Sequence, residues 1–171
     1  PINSQVLPPE APRNLLSEII PSTRMEELQE TGELNMAVPL EGLGNFRVSA
    51  FRQRGHVAVV IRFIPGDIPA LDTLNVAPVL ADLVMEKRGL VLMVGATGAG
   101  KSTTLAAMID HRNECASGHV LTIEDPIEYV YKNKKSVVNQ REIGPDTASL
   151  QIALKNALRQ APDVILIGEI R

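Results

Sequence analysis

The stretch GLVLMVGATGAGKSTT, residues 89 to 104, places an apolar run before a glycine-rich turn and a lysine-serine pair. Its central residues 95 to 102 fit the pattern G-x-x-x-x-G-K-S, in which glycines let successive backbone N–H groups point inward at phosphate oxygens. The apolar residues 90 to 94 predict a strand before the turn, and Leu105, Met108 and Ile109 predict a helix after it. A glycine-rich turn could fit the pattern by chance, but this strand and helix supply the context that the motif requires.

This motif predicts a site for the phosphates of a nucleotide. Lys101 would add a positive charge for the β- and γ-phosphates, and the hydroxyl of Ser102 would be offered to Mg²⁺. The residue at position 99 would act through its backbone N–H, so alanine is suitable there. The predicted nucleotide-binding residues are Gly95, Ala96, Thr97, Gly98, Ala99, Gly100, Lys101, Ser102 and Thr103.

Helical and strand patterns alternate on both sides of this motif. Strands without polar alternation, separated by helices, are typical of a parallel sheet that is covered on both faces. We therefore predict an α/β domain of the P-loop NTPase class over residues 76 to 171. Its predicted helices are 76 to 88, 101 to 112 and 149 to 160, and its predicted strands are 90 to 94, 120 to 124 and 164 to 167.

The first part of the chain has a different pattern and predicts a separate α+β domain. Residues 15 to 20 are helical in pattern, and Thr23 and Glu26 have the spacing of a capping box that would begin a second helix. Alternation then predicts a small antiparallel meander over residues 35 to 64. Pro and Gly near residue 66 indicate a boundary. We assign residues 1 to 66 to this domain and residues 67 to 75 to a linker.

Acidic residues follow two of the predicted parallel strands. The loops after such strands meet at one edge of the sheet, so Glu128 and Glu169 are expected on the edge that holds the phosphate loop. There they could position a water or Mg²⁺. From spacing alone a solvated acid at position 128, and a polar strand end paired with Arg171 at position 169, are equally good interpretations. Glu124 and Asp125 could simply build a turn before Pro126.

Composition limits the classes of partner. Lys and Arg number 17 against 20 Asp and Glu, and aromatic residues are 3% of the chain, so no basic field or stacking platform for nucleic acid is expected. One cysteine fits a reducing compartment. Without a leader pattern or an apolar span, we expect a cytoplasmic protein. A start at Pro1 and an end on an apolar strand favour a piece of a longer protein.

Four segments together resemble the PilT/PilU retraction ATPases of type IV pili, within the secretion-ATPase superfamily. They are GATGAGKSTTLAAM, LTIEDPIE, KKSVVNQRE and NALRQAPDVILIGEIR, and GNFRVSAFRQRG extends the resemblance into the first domain. The residues of the segments LRQAPDVILIGEIR and FRVSAF favour the PilU-like members. The resemblance covers most of the chain from about residue 15.

The resemblance implies a RecA-like second domain, a PAS-like first domain, and a homo-hexameric ring that uses ATP and Mg²⁺. It places the family's catalytic glutamate on Glu128 and the Walker B glutamate, which holds Mg²⁺ through water, on Glu169. It also makes Arg47 or Arg62 a candidate sensor of the γ-phosphate, although both could be solvent-facing strand residues. The implied ring lies at the inner membrane on the pilus platform protein and powers retraction. A paralogous retraction ATPase is a further candidate partner.

Two other functions compete with a motor ATPase. A P-loop kinase would need an arginine-bearing lid after the P-loop, and residues 113 to 118 are too few for one. A nucleotide-dependent accessory subunit that does not hydrolyse ATP is compatible with the sequence. A related secretion or pilus-assembly ATPase is the remaining alternative. Since the family continues past the Walker B segment with a histidine box, we expect little turnover by residues 1 to 171 alone.

Overall fold

A computed structural model describes residues 6 to 40, 43 to 64 and 66 to 170. The chain divides into two compact units, residues 1 to 65 and 66 to 171. The first contains α1 (Ala11–Ile19), α2 (Ser22–Thr31), β1 (Glu33–Leu40), β2 (Gly44–Gln53) and β3 (His56–Ile64). The second contains α3 (Val79–Leu83), α4 (Lys101–Cys115), β4 (Gly118–Glu124), β5 (Ser136–Glu142), α5 (Leu150–Ala157) and β6 (Val164–Ile167).

The first unit is an antiparallel sheet in the order β1-β2-β3, with α1 and α2 packed on one face. Alternation puts Val48 and Ala50 of β2 against the helices, where both are fully buried with Leu16, Leu28 and Leu34. The predicted α+β character of this unit is therefore confirmed. The predicted capping box is wrong, because the N-cap of α2 is Pro21, two residues before Thr23, and no side-chain hydrogen bond caps the helix.

The second unit contains a parallel sheet in the order β5-β4-β6. In the central strand β4, Val120 packs with α4 on one face, and Leu121 and Ile123 pack with α5 on the other. Every residue of β4 is buried or partly buried, as expected for a strand whose two faces are both covered. The predicted α/β class, with helices on both faces of a parallel sheet, is confirmed.

The predicted strand before the phosphate loop is wrong. Residues 90 to 94 form no ladder with any described strand. Leu90, Leu92 and Val94 are instead 81%, 65% and 88% exposed. Leu90 and Val91 line a cavity of about 220 Å³ that is also lined by Ile165 and Leu166 of β6. An apolar run becomes a strand only when a neighbour supplies hydrogen bonds, and none of the described strands pairs with this segment.

Two further predictions need correction. The helix predicted over residues 76 to 88 is confined to α3, which has five residues. Strand β5 was not predicted, because its sequence SVVNQRE is largely polar.

The segment predicted as a linker packs within the second unit. Leu71 begins a short 3-10 helix, Leu71–Thr73, and lies against Ala107 and Met108 of α4. That residues 67 to 75 separate two moving domains stays a prediction. Within the described residues, no helix combines the length and the apolar character needed to cross a bilayer.

Candidate functional site

The glycine-rich loop lies on the surface and leads directly into α4. Gly98 and Gly100 have φ angles of 79° and 87°, a left-handed region that other residues adopt only with strain. Gly100 is the N-cap of α4, and no side chain caps the helix. The loop turns on itself where the Ala99 N–H donates to the Ala96 carbonyl, at 3.2 Å. The first N–H groups of a helix have no partner within it, so this surface favours an anion.

Lys101 lies over the loop rather than away from it. Its Nζ donates to the carbonyl oxygens of Gly95 and Ala96, each at 2.8 Å. Ser102 follows in the first turn of α4 and is exposed. The loop therefore combines the hydrogen-bonded ammonium group of Lys101, the exposed Ser102 and a helix N-terminus, which together suit a phosphate group.

A hydrogen bond connects the start of α4 with the loop that follows β4. Thr103 Oγ1, in the first turn of the helix, lies 3.0 Å from the hydroxyl of Tyr129. Tyr129 directly follows Glu128, which is exposed. The parallel register pairs Ile123 of β4 with Ile167 of β6, so the two strands end at the same edge. The structure thus brings the helix of the phosphate loop close to residues 125 to 129, which follow β4 and are called here the Glu128 loop.

Two buried carboxylates hold the backbone of the Glu128 loop. The Ile127 N–H donates to Oε2 of Glu142 at 3.1 Å, and the Glu128 N–H donates to the carboxylate of Glu124. Glu124 and Glu142 are 8% and 7% exposed and end the neighbouring strands β4 and β5. The loop also contains a cis peptide bond between Asp125 and Pro126.

Glu124 lies in an environment that disfavours its charge. Burial raises the pKa of its carboxyl, although hydrogen bonds from Thr122 and Gln140 and from the Glu128 N–H act in the opposite direction. Thr122 Oγ1 donates to Oε1 at 2.6 Å, and Gln140 Nε2 donates to the same oxygen at 3.2 Å. Glu124 is therefore more than the turn former that its position before Asp125 and Pro126 suggested.

We expect Glu124→Gln to change how stability depends on pH. Because the folded carboxyl has the higher pKa, the native state binds its proton more tightly, and the free energy of unfolding falls as pH rises from the ordinary glutamate range through the raised pKa. The amide cannot ionise, so the variant should lose this decline and gain stability relative to the parent as pH increases. Urea denaturation of both proteins across this range measures the difference. Parallel curves would contradict the expectation.

Glu169 follows β6 and is exposed. The preceding residue, Gly168, donates its N–H to the Ile123 carbonyl at 2.9 Å. A Cβ at Gly168 would lie 3.3 Å from Cγ of Glu124, so glycine allows the end of β6 to approach that buried carboxylate closely. Glu169 thus lies at the sheet edge predicted for it. Its alternative partner, Arg171, is outside the described residues.

The two candidate arginine sensors lie in the first unit. Arg47 of β2 and Arg62 of β3 are direct cross-strand neighbours. Since Val48 and Ala50 face the helices, Arg47 lies on the opposite face of the sheet. Among the residues that the structure describes, no carboxylate forms a salt bridge with either arginine. Like charges directly opposite in a sheet destabilise it, so this pair is a feature that packing does not explain.

Sequence reasoning did not find the residues that support the Glu128 loop, namely Tyr129, Gln140 and Glu142. The last two lie on β5, the strand that was not predicted. The only available signal was the segment KKSVVNQRE, whose resemblance to the retraction ATPases covered these positions without assigning them a role.

Comparison with known proteins identifies the family. Residues 24 to 171 match the family described as type II/IV secretion system protein. The chain is 48% identical over its full length to the type IV pilus ATPase PilU of Pseudomonas aeruginosa, covering 45% of that protein. It is 43% identical over 92% of its length to the type IV pilus retraction ATPase PilT of the same organism, covering 46% of it. The chain thus spans about half the length of these relatives.

Solved structures show the same fold. The pilus retraction motor PilT with bound ADP has a TM-score of 0.94 and 44% identity, over 98% of this chain and 48% of that one. The ATPase DotB of Legionella pneumophila has a TM-score of 0.79 and 31% identity, over 98% of this chain and 49% of that one. With a family match over most of the chain and a shared fold, this chain belongs to the type II/IV secretion system protein family, in which it is similar to the PilT and PilU pilus ATPases.

Proposed function

We propose that the chain is part of an ATP-hydrolysing motor subunit that powers retraction of a type IV pilus. The hydrogen bond between Thr103 and Tyr129 carries the proposal, because it joins the helix of the phosphate loop to the loop of Glu128. A loop that binds phosphate accounts for nucleotide binding, and an acid beside it accounts for hydrolysis. The similarity to PilU, PilT and DotB, all named as ATPases or motors, supports this function.

The placement of the side chains supports the following proposed roles. The backbone N–H groups of residues 95 to 100 and the Lys101 ammonium bind the phosphates of ATP, and the exposed Glu128 orients the attacking water and accepts its proton. Ser102 and Glu169 would hold Mg²⁺, Glu169 through water. Their hydroxyl and carboxylate oxygens are the hard donors that this ion prefers. Bound Mg²⁺ supplies neutralisation of charge on the β- and γ-phosphates.

The working assembly is proposed from the same resemblance. Six copies would form a ring at the cytoplasmic face of the inner membrane, on the platform protein of the pilus and beside a paralogous ATPase. Hydrolysis would rotate the first unit of one subunit against the second unit of another. The higher identity to PilU than to PilT, 48% against 43%, supports the PilU-like subtype.

One observation and one measurement distinguish the competing functions. A kinase lid has little room, because only residues 116 and 117 connect α4 with β4. A subunit that binds ATP without hydrolysing it would contain the same phosphate loop, so only a measurement of turnover separates it from a motor.

Phosphate release by the full gene product tests the proposal. We expect ATP-dependent, steady release, with the 171-residue chain assayed beside it showing little. Binding of a fluorescent ATP analogue is measured in parallel. A full gene product that binds the analogue but releases no phosphate, alone or mixed with its paralogous ATPase, would contradict the motor function and favour the accessory subunit.

We expect Arg47→Gln to separate stability from activity. Removing one of two opposed charges should raise the free energy of unfolding by about 0.2 to 1 kcal/mol, whereas hydrolysis should fall because a γ-phosphate sensor is lost. Urea denaturation and phosphate release are the two measurements. Arg52→Gln is the matched control, since Arg52 is exposed on the same strand opposite Val57 and should leave both quantities unchanged. Normal hydrolysis by Arg47→Gln would make Arg47 a solvent-facing strand residue only.

A further inference from the structure

The loop from Asp125 to Glu128 depends on carboxylates for the hydrogen bonds of its backbone. Two consecutive N–H groups, those of Ile127 and Glu128, donate to Glu142 and Glu124 respectively. These two contacts tie the backbone of the loop to the carboxyl ends of β4 and β5.

The two acceptors are direct neighbours in the sheet. The parallel register pairs Glu124 with Glu142 at the last position of both strands. Placing two acids side by side in a buried position costs free energy, and an apolar pair would be a cheaper way to finish the two strands. Stability of the fold alone therefore does not account for this choice of residues.

The backbone of Glu142 is itself held by Asp146 through two hydrogen bonds. Its N–H donates to Oδ2 of Asp146 at 2.8 Å, and its carbonyl accepts from the Asp146 N–H at 3.0 Å. The downstream end of the Glu128 loop is also tied to β5, because Gln140 Nε2 donates to the Tyr129 carbonyl at 2.7 Å. Strand β5 thus holds the loop at two points, one on each side of Glu128.

We propose that Glu142 is a positioning residue for ATP hydrolysis, acting through the Ile127 N–H on the place of Glu128. The proposal rests on the proposed function, in which Glu128 orients the attacking water. A shift of about 1 Å in a reacting group can lower a rate about 100-fold. The phosphates are bound by the separate loop at residues 95 to 102, so loss of this support should lower kcat and leave KM for ATP nearly unchanged.

The test compares Glu142→Leu with Glu142→Gln in the full gene product. Leucine removes the acceptor for Ile127, and we expect kcat to fall about 100-fold. Glutamine keeps an oxygen at the same place, so kcat should stay within about fivefold of the parent, because geometry and not charge is required. If the leucine variant does not fold, Glu142→Asp takes its place, since it keeps the charge but withdraws the acceptor by one methylene. Its kcat should fall well below that of Glu142→Gln.

Ser136→Ala is the matched control. Ser136 is 3% exposed at the opposite end of β5 and donates to the Ala116 carbonyl at 2.7 Å, so the variant also loses one buried hydrogen bond. Its kcat should match the parent even where its melting temperature is lowered. A kcat for Glu142→Leu equal to that of Ser136→Ala, or an equal loss in the glutamine and leucine variants, would overturn the positioning role. So would a higher KM at unchanged kcat.

Combination with Glu128→Gln distinguishes this inference from the function on which it rests. If Glu142 acts through Glu128, adding Glu142→Leu to Glu128→Gln should lower kcat by less than about threefold. A full further loss in the double variant would overturn the inference. Undiminished activity of Glu128→Gln alone would instead contradict the proposed function, whatever Glu142→Leu does.

Discussion

Lys101→Ala should lower ATP hydrolysis about 10²- to 10³-fold and also weaken nucleotide binding, the loss expected when one preorganised donor to a transferring phosphoryl group is removed. The ammonium group already lies over the loop, bonded to the carbonyls of Gly95 and Ala96, so no large rearrangement is needed to reach a phosphate there. Because these hydrogen bonds are exposed, the fold should tolerate their loss. Phosphate release and titration with a fluorescent ATP analogue measure the two effects.

A second lysine provides the control for this experiment. Lys155 is exposed on α5, and Lys155→Ala removes the same charge from the second unit without touching the phosphate loop. It should bind and hydrolyse ATP like the parent. If Lys101→Ala also retained both properties, the glycine-rich turn would be a structural turn that fits the motif by chance.

The elements whose sequence pattern reflects their own surroundings were predicted well. Helix α4 begins at Lys101, as the motif requires, and β6 has the predicted bounds. Strand β4 is buried on both faces, so Val120, Leu121 and Ile123 do not alternate with exposed polar residues, and this lack of alternation led to its prediction. In each case the deciding information lies within the segment itself.

The errors concern elements whose state depends on a neighbour. The apolar pattern of residues 90 to 94 is typical of a strand, but a strand also needs hydrogen bonds from a second segment. Conversely, β5 is polar and half exposed, and it forms because β4 pairs with it along its whole length. Periodicity reports which side chains avoid water and says little about which backbone will supply a partner.

The candidate site shows the same division. Lys101 and Glu128 could be selected from the sequence because each belongs to a short motif whose residues are contiguous. Glu142 supports Ile127 across 15 residues of sequence, and the contact exists only because β4 and β5 end in register. Such a residue cannot be found from spacing until the strand pairing is known.

Glu128→Gln should separate binding from chemistry. The side chain is exposed on a loop whose backbone is fixed at Ile127 and Glu128, so an isosteric amide should leave the loop in place. Glutamine cannot accept a proton, and loss of a positioned general base typically lowers a rate about 10²- to 10⁴-fold. Affinity for an ATP analogue should stay near that of the parent, because the phosphate loop is unchanged.

Asp125→Asn tells whether this loss belongs to Glu128 or to acidity of the loop in general. Asp125 is exposed three residues earlier, and its substitution removes the same charge while leaving the Ile127 and Glu128 N–H contacts in place. We expect it to lower kcat less than about tenfold. An equal loss in both variants would attribute the effect to the field of the loop, since charge and not a particular proton acceptor would then decide the rate. A loss confined to Glu128→Gln, with ATP still bound, is what a base aimed at the attacking water requires.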